Sequence, residues 1–194
     1  MPRIKGDHEA RRRDVSEAVW RVLARHGFGG LSMRAVATEL GATTGLLTHY
    51  FPSKRDLITH ALALLDERTA ARRPRPSAAP GLASLREAML AVLPATPESA
   101  GTGRIWVSSW DTALADEQFG SSHAARYAGG RERLSARIAA AQALGELAPG
   151  DADDLAAAAQ SFLLGLVVQA LLDPPSFPAA RQIHLLDGYL ATLA

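Results

Sequence analysis

Cysteine is absent from the 194-residue chain, and aromatic residues make up only 6% of it. Without thiols there is no disulfide framework, no thiolate zinc site and no cysteine nucleophile, which agrees with a reducing cytosol. Ala and Leu carry most of the 47% apolar content. Both are strong helix formers and weak strand formers. No run of Val, Ile, Thr and Tyr alternates with polar residues long enough to suggest a sheet. The expected fold class is therefore all-α. The N-terminus, Met1-Pro-Arg-Ile-Lys-Gly-Asp-His-Glu9, also lacks the apolar stretch of a signal peptide.

Constellations for catalysis are missing as well. His8, His26, His49, His60, His123 and His184 show no metal-ligand spacing, and His8-Glu9 lacks the second histidine of a zinc protease motif. Gly101-Thr-Gly103 lacks the third glycine and the preceding strand of a nucleotide fingerprint. With no coherent nucleophile–base pair either, the chain is expected to be no enzyme, with neither metal nor cofactor. One uncharged run, Leu155 to Leu172, reaches the lower edge of membrane-spanning length. It contains Gln160, Ser161 and Gln169 and is flanked by Asp151, Asp153, Asp154 and Asp173 with no cationic anchor beside it. We read it as a helix buried on nearly all sides in a cytoplasmic protein, with no membrane partner.

Charge is present but unevenly placed. Residues 1–75 hold 14 Lys and Arg against 8 Asp and Glu, whereas residues 76–194 hold 7 against 12. A basic front on an acidic back suggests a polyanion-binding module attached to a body that does not touch the polyanion.

Helical punctuation is clear in the basic part. Val15, Ala18, Val19, Val22 and Leu23 recur with helical period after Asp14, and Gly27 ends the pattern as a left-handed cap. Ser32 caps a second helix over Met33 to Leu40, with Val36, Ala37 and Leu40 inward, and Gly41 breaks it. A third helix starts near Thr43 or Thr44 and runs to about Tyr50, where Pro52 stops it. Ser53-Lys54-Arg55-Asp56 has capping-box spacing and opens a fourth helix that ends before Arg72. The proline-rich stretch Arg73 to Gly81 is the clearest break. Beyond it, helices are expected at 82–93, at about 102–115, at 117–144 with a weak point at Gly129-Gly130, at 151–173 and at 178–193.

Two short helices joined at a glycine form the DNA-binding helix-turn-helix when the second begins with small or polar residues, so that its N-terminus enters the major groove. Thr43, Thr44, Gly45 and Thr48 meet that need. An ordinary helical hairpin in an adaptor protein without specific DNA binding is the alternative, but it leaves the charge split and the Thr-Thr-Gly start unexplained.

The residues Ser32, Arg34, Gly41, Thr43, Gly45, His49, Tyr50, Phe51 and Lys54, with Gly27-Phe28 and Val36-Ala37, closely resemble the TetR family of transcriptional regulators over about residues 10–58. One position departs: Thr48 stands where many members have Tyr. The resemblance implies a three-helix helix-turn-helix domain at 1–53 and a helical effector-binding and dimerisation domain at 54–194. It implies a ligand-responsive repressor that binds palindromic double-stranded operator DNA as a homodimer and is released by a small-molecule effector. By resemblance and chemistry, Arg34 reaches a guanine edge or a phosphate, Thr43 caps the recognition helix, and Thr44 and Thr48 contact bases. Gly45 permits close main-chain approach, and His49, Tyr50 and Lys54 hold phosphates. Leu47 and Phe51 are assigned to the core. The run Arg11-Arg12-Arg13 is read as a solvated charge cluster in preference to a backbone contact.

The C-terminal part resembles the subgroup around the repressor of choline-to-betaine genes, through Arg104-Ile-Trp-Val-Ser-Ser-Trp110, Arg126-Tyr127, Arg131, Leu134, Gly145 and the stretch Asp153 to Pro174. This implies dimerisation through the helices near 151–173 and 178–193. Trp106 and Trp110, at i and i+4 of one expected helix, are read first as core aromatics. As pocket walls they would act with Met89, Tyr127 and Phe162, and a cationic effector would need Asp111 or Asp116 pointing inward.

Overall fold

A helix that starts before its apolar repeat heads the chain. In the computed structural model, which describes residues 5–71 and 80–194 with side chains from Glu9 onward, α1 covers Lys5–His26. The expected start at Asp14 is too late. Glu9, Ala10 and the three arginines before Asp14 are good helix formers and extend α1 although Glu9 and Arg11 to Asp14 stay exposed. Val15, Ala18, Val19, Val22 and Leu23 are all buried, as the periodicity requires. α2 (Met33–Leu40) has the expected bounds, while α3 (Thr44–Leu47) is shorter than expected, followed by non-helical turns to Tyr50. α4 (Lys54–Ala71) buries Leu57, Ala61, Leu62, Leu64 and Leu65. The break expected at Arg73 to Gly81 falls, except for Pro80 and Gly81, outside the described residues.

The rest is α5 (Leu82–Leu90), α6 (Pro97–Ser108), α7 (Trp110–Ala115), α8 (Glu117–Ala143), α9 (Ala152–Leu172) and α10 (Ala179–Ala191). The protein is all-α, with no strand among the described residues. The single helix expected at about 102–115 is instead two. Proline at the first helical position, after Thr96 whose Oγ1 accepts from Ser99 N–H, starts α6 earlier. At its end Ser108 Oγ donates to Ile105 O at 2.8 Å and Ser109 Oγ to Trp106 O at 2.6 Å, so hydroxyls compete for carbonyls that a continuing helix would use. Trp106 therefore lies in the last turn of α6 and Trp110 opens α7, and the two do not share one helical face as expected. α8 runs through Gly129-Gly130 without interruption. A Cβ at Gly130 would come within 2.7 Å of the Gln160 amide nitrogen, which donates to Tyr127 O.

Packing divides the chain into two units: residues up to Ala71 together with Arg104–Thr112, and Arg72–Gly103 together with Ala113–Ala194. Within the first, Phe28 N–H donates to Ser108 Oγ at 3.2 Å. Gly27 has φ +61° and lies so close that a Cβ there would sit 2.8 Å from that oxygen. Within the second, α8 and α9 pack along one another and α5 packs against α8 and α10. Their core holds Leu85, Met89, Ile138, Ala156, Leu163 and Leu186. α9 is long and apolar enough to cross a membrane, and only 33% of its most apolar window is buried inside the subunit. The chain by itself thus covers only part of the helix that was expected to be buried between this body and a second subunit.

Candidate nucleic-acid interface

Local hydrogen bonds shape the α2–turn–α3 motif. Ser32 Oγ accepts from Ala35 N–H at 3.2 Å, and Thr43 Oγ1 accepts from Leu46 N–H at 3.4 Å, so each helix has a side-chain N-cap. Between them Gly41 takes φ 66°, its N–H reaching Thr38 O and that of Ala42 reaching Ala37 O. This is the left-handed closure that a residue with a Cβ resists. After α3, Tyr50 and Phe51 N–H both donate to Leu47 O.

This geometry sorts the side chains. Leu47 and Phe51 are buried in the first unit as expected, and Phe51 lies 5.1 Å from the His60 ring. Thr43, Thr44, Gly45, Thr48 and His49 are exposed, and Tyr50 is half-buried. Thr48 Oγ1 donates to Gly45 O at 2.8 Å, which leaves its methyl and its acceptor lone pairs for a ligand. Arg34 is exposed in the first turn of α2, and Lys54 is exposed at the start of α4. There the capping box forms: Asp56 Oδ2 accepts from Ser53 N–H at 2.9 Å while Ser53 Oγ accepts from Asp56 N–H at 3.2 Å.

Long-range pairs that no local pattern signals hold the motif on its scaffold. Arg21 Nε donates to Glu39 Oε1 at 2.6 Å, and Arg25 pairs with the other oxygen, joining α1 to α2. The Arg21 hydrogen bond above all, with the Arg25 charge, holds the Glu39 carboxyl below its usual range. Arg68 of α4 pairs with Glu17 and stacks 4.4 Å over Trp20 of α1. Ser16 Oγ and His60 Nε2 are 3.0 Å apart. Burial, then the Arg12 charge, lowers the His60 pKa, and Glu67 opposes this.

The residues considered for an effector are divided between the two units. Met89 is fully buried in the second unit's core, against which Phe162 packs from its rim. Phe162 stacks on Tyr189 at 4.4 Å and 7° beside an open groove of about 470 Å³ between α9 and α10, which neither Met89 nor Tyr127 lines. Tyr127 is half-buried on α8. Trp106 and Trp110, both half-buried, belong to the first unit. Neither aspartate meets the condition for a cationic site: Asp111 is exposed, and Asp116 Oδ1 caps α8 by accepting from Gln118 and Phe119 N–H at 3.0 and 3.2 Å.

Comparison with known proteins agrees with the motif. Residues 16–61 match the family "Bacterial regulatory proteins, tetR family", and residues 81–194 match "BetI-type transcriptional repressor, C-terminal". The transcriptional regulator PksA of Bacillus subtilis is 31% identical over 173 residues, 87% of this chain and 82% of its own length. The regulator BetI of Burkholderia thailandensis is 31% identical over 118 residues, 59% of this chain and 60% of BetI. Among solved structures, a protein from Saccharomonospora viridis in complex with choline superposes with a TM-score of 0.82 at 22% identity, over 94% of this chain and 96% of that one. A transcriptional regulator from Rhodococcus sp. Rha1 gives 0.82 at 22%, over 93% and 94%.

Proposed function

Since the chain belongs to the TetR family of transcriptional regulators and carries a repressor-type C-terminal part, we propose that it represses transcription as a homodimer on a palindromic operator. The observation that carries this reading is the sorting of α3: Leu47 is buried while Thr44, Gly45 and Thr48 stand exposed behind a capped helix start. A short helix of this kind offers its first turn to base edges. In our reading Thr44 and Thr48 read bases, the latter through its methyl group, with Arg34 on a guanine edge or a phosphate. Thr43 and Gly45 let the main chain come close, and His49, Tyr50 and Lys54 hold phosphates and set register. Such a regulator works in the cytoplasm, where its DNA is.

The functional division falls at 53/54, since Lys54 begins the helix that leads away from the recognition motif. Residues 1–53 carry the base-reading motif, Lys54 at the boundary adds a phosphate contact, and the residues beyond it bind effector and dimerise. Dimerisation runs through α9 and α10. The faces that bury little within the subunit carry Gly165 and Gly188, where a Cβ would meet nothing within 4 Å. Glycine inside a helix costs about 1 kcal/mol relative to alanine, and close approach of a second backbone is a reason to retain it.

For the effector, Trp106, Trp110, Tyr127, Phe162 and Met89 are the proposed responsive residues. The choline-bound neighbour makes a quaternary ammonium ion the first compound to titrate; with Asp111 exposed and Asp116 engaged in capping α8, its attraction would rest on aromatic faces and not on those carboxylates. Release requires that the ligand favour a conformation in which the two recognition helices no longer fit adjacent grooves. Quenching of tryptophan fluorescence that saturates with choline supports that class; an unchanged spectrum together with unchanged operator affinity rejects it.

The central experiment is a mobility shift on the DNA flanking the protein's own gene. The wild type should shift it in preference to unrelated DNA, and less so as salt rises. Thr44→Ala should lower that preference by about tenfold, the scale of one base contact. Tyr50→Ala should weaken binding to all sequences alike. A chain that shifts no DNA at any salt concentration is instead a helical adaptor.

A further inference from the structure

Three arginines stand apart from the ion pairs that join the helices of the first unit. Glu39 takes Arg21 and Arg25, and Glu17 takes Arg68. Arg11, Arg12 and Arg13 are exposed on α1 with no ion pair among the described residues, and this part of the helix buries no side chain. Sequence alone cannot tell which end of the molecule they occupy. The cross-helix contacts can: Ser16 meets His60, whereas Glu17 and Trp20 meet Arg68. Rising numbers on α1 thus meet rising numbers on α4, so the two helices run in the same sense. One or two turns before Ser16, the three arginines lie towards the start of α4, where Lys54 and Arg55 stand beside the end of the recognition motif. The influence of the Arg12 charge on His60, secondary to burial, fits this placement.

We propose that Arg11, Arg12 and Arg13 form a second DNA contact outside the helix-turn-helix, gripping backbone phosphates that flank the bases read by α3. This rests on the DNA-binding reading above and replaces the view of these residues as a solvated cluster. The contact carries no base information, so it raises affinity and salt sensitivity and widens the footprint without altering sequence preference.

The test compares the wild type, the triple variant R11Q/R12Q/R13Q and the triple variant R11K/R12K/R13K on an operator fragment with long or trimmed flanks, over a range of salt. The glutamine variant should lose about tenfold or more in affinity near physiological salt. The slope of log affinity against log salt should flatten by about 0.9 for each phosphate no longer neutralised. Its preference for operator over unrelated DNA should persist, and the lysine variant should recover most of the affinity. Trimming the flanks should weaken the wild type and leave the glutamine variant unaffected. A glutamine variant with wild-type affinity and slope overturns the proposal alone and leaves the operator reading standing. So does a lysine variant as weak as the glutamine one, since a phosphate contact needs the charge. A wild type that shifts no DNA overturns both.

Discussion

His60 sits where the scaffold of the DNA-binding motif closes, 3.0 Å from Ser16 Oγ and against the Phe51 ring. Burial, then the Arg12 charge, keeps its pKa below the ordinary histidine value of 6.5. Well above pH 6.5 the ring is neutral whether the chain is folded or unfolded, and it adds no pH dependence. As pH falls through 6.5 the unfolded chain takes up the proton first, so stability drops until the folded pKa is also passed. Urea midpoints measured between about pH 7.5 and 5 should fall. His60→Gln should flatten that profile; an equally steep fall in the variant assigns the dependence to another group. Thr48 teaches a related lesson. Its type makes it a candidate for base contact, but only the folded chain shows its hydroxyl donating to Gly45 O, which is why the methyl is the group proposed to meet a base. Glu39 carries no local signal, because its partners Arg21 and Arg25 lie 18 and 14 residues away.

Helices of the DNA-binding part are the most legible elements. α2 has the bounds that Ser32 and Gly41 announce, and the start of α4 follows from Ser53 and Asp56. Each signal is a bond between residues three to five apart, so the local sequence contains both partners. Ser53→Ala removes one half of the capping box and should cost about 1 kcal/mol in urea unfolding. Ser53→Asp should recover much of that, and equal losses in both variants would tie the effect to something other than the cap. Elements whose limits depend on competition depart from the local pattern. α3 closes early into turns, α1 starts well before Asp14, and the helix at 102–115 breaks at Ser109, where two hydroxyls take carbonyls. Propensity and periodicity do not rank such competitors.

For the whole molecule, the question raised by the sequence is how an uncharged run from Leu155 to Leu172 stays soluble. One subunit buries only 33% of its most apolar window. A second copy on α9 and α10 would cover the remainder, including the groove beside Phe162 and the open faces of Gly165 and Gly188. Gly165→Glu places a charge where the single chain has room for it but a dimer core does not. Sedimentation should show this variant as a folded monomer with a sharply weakened operator complex, since one half-site retains only part of the affinity. A dimer of unchanged strength moves the interface elsewhere.

The sequence by itself determined the all-helical class, the motif at 32–51, its caps and the charge split, because each is written in composition or in contacts a few residues long. Tertiary structure decided the rest. It chose which arginines pair with carboxylates across helices, drew Arg104–Thr112 into the unit of the DNA-binding helices, and placed Trp106 and Trp110 on different helices. Those outcomes depend on which distant segments meet and in what direction they run, and neither is encoded within a single turn of helix.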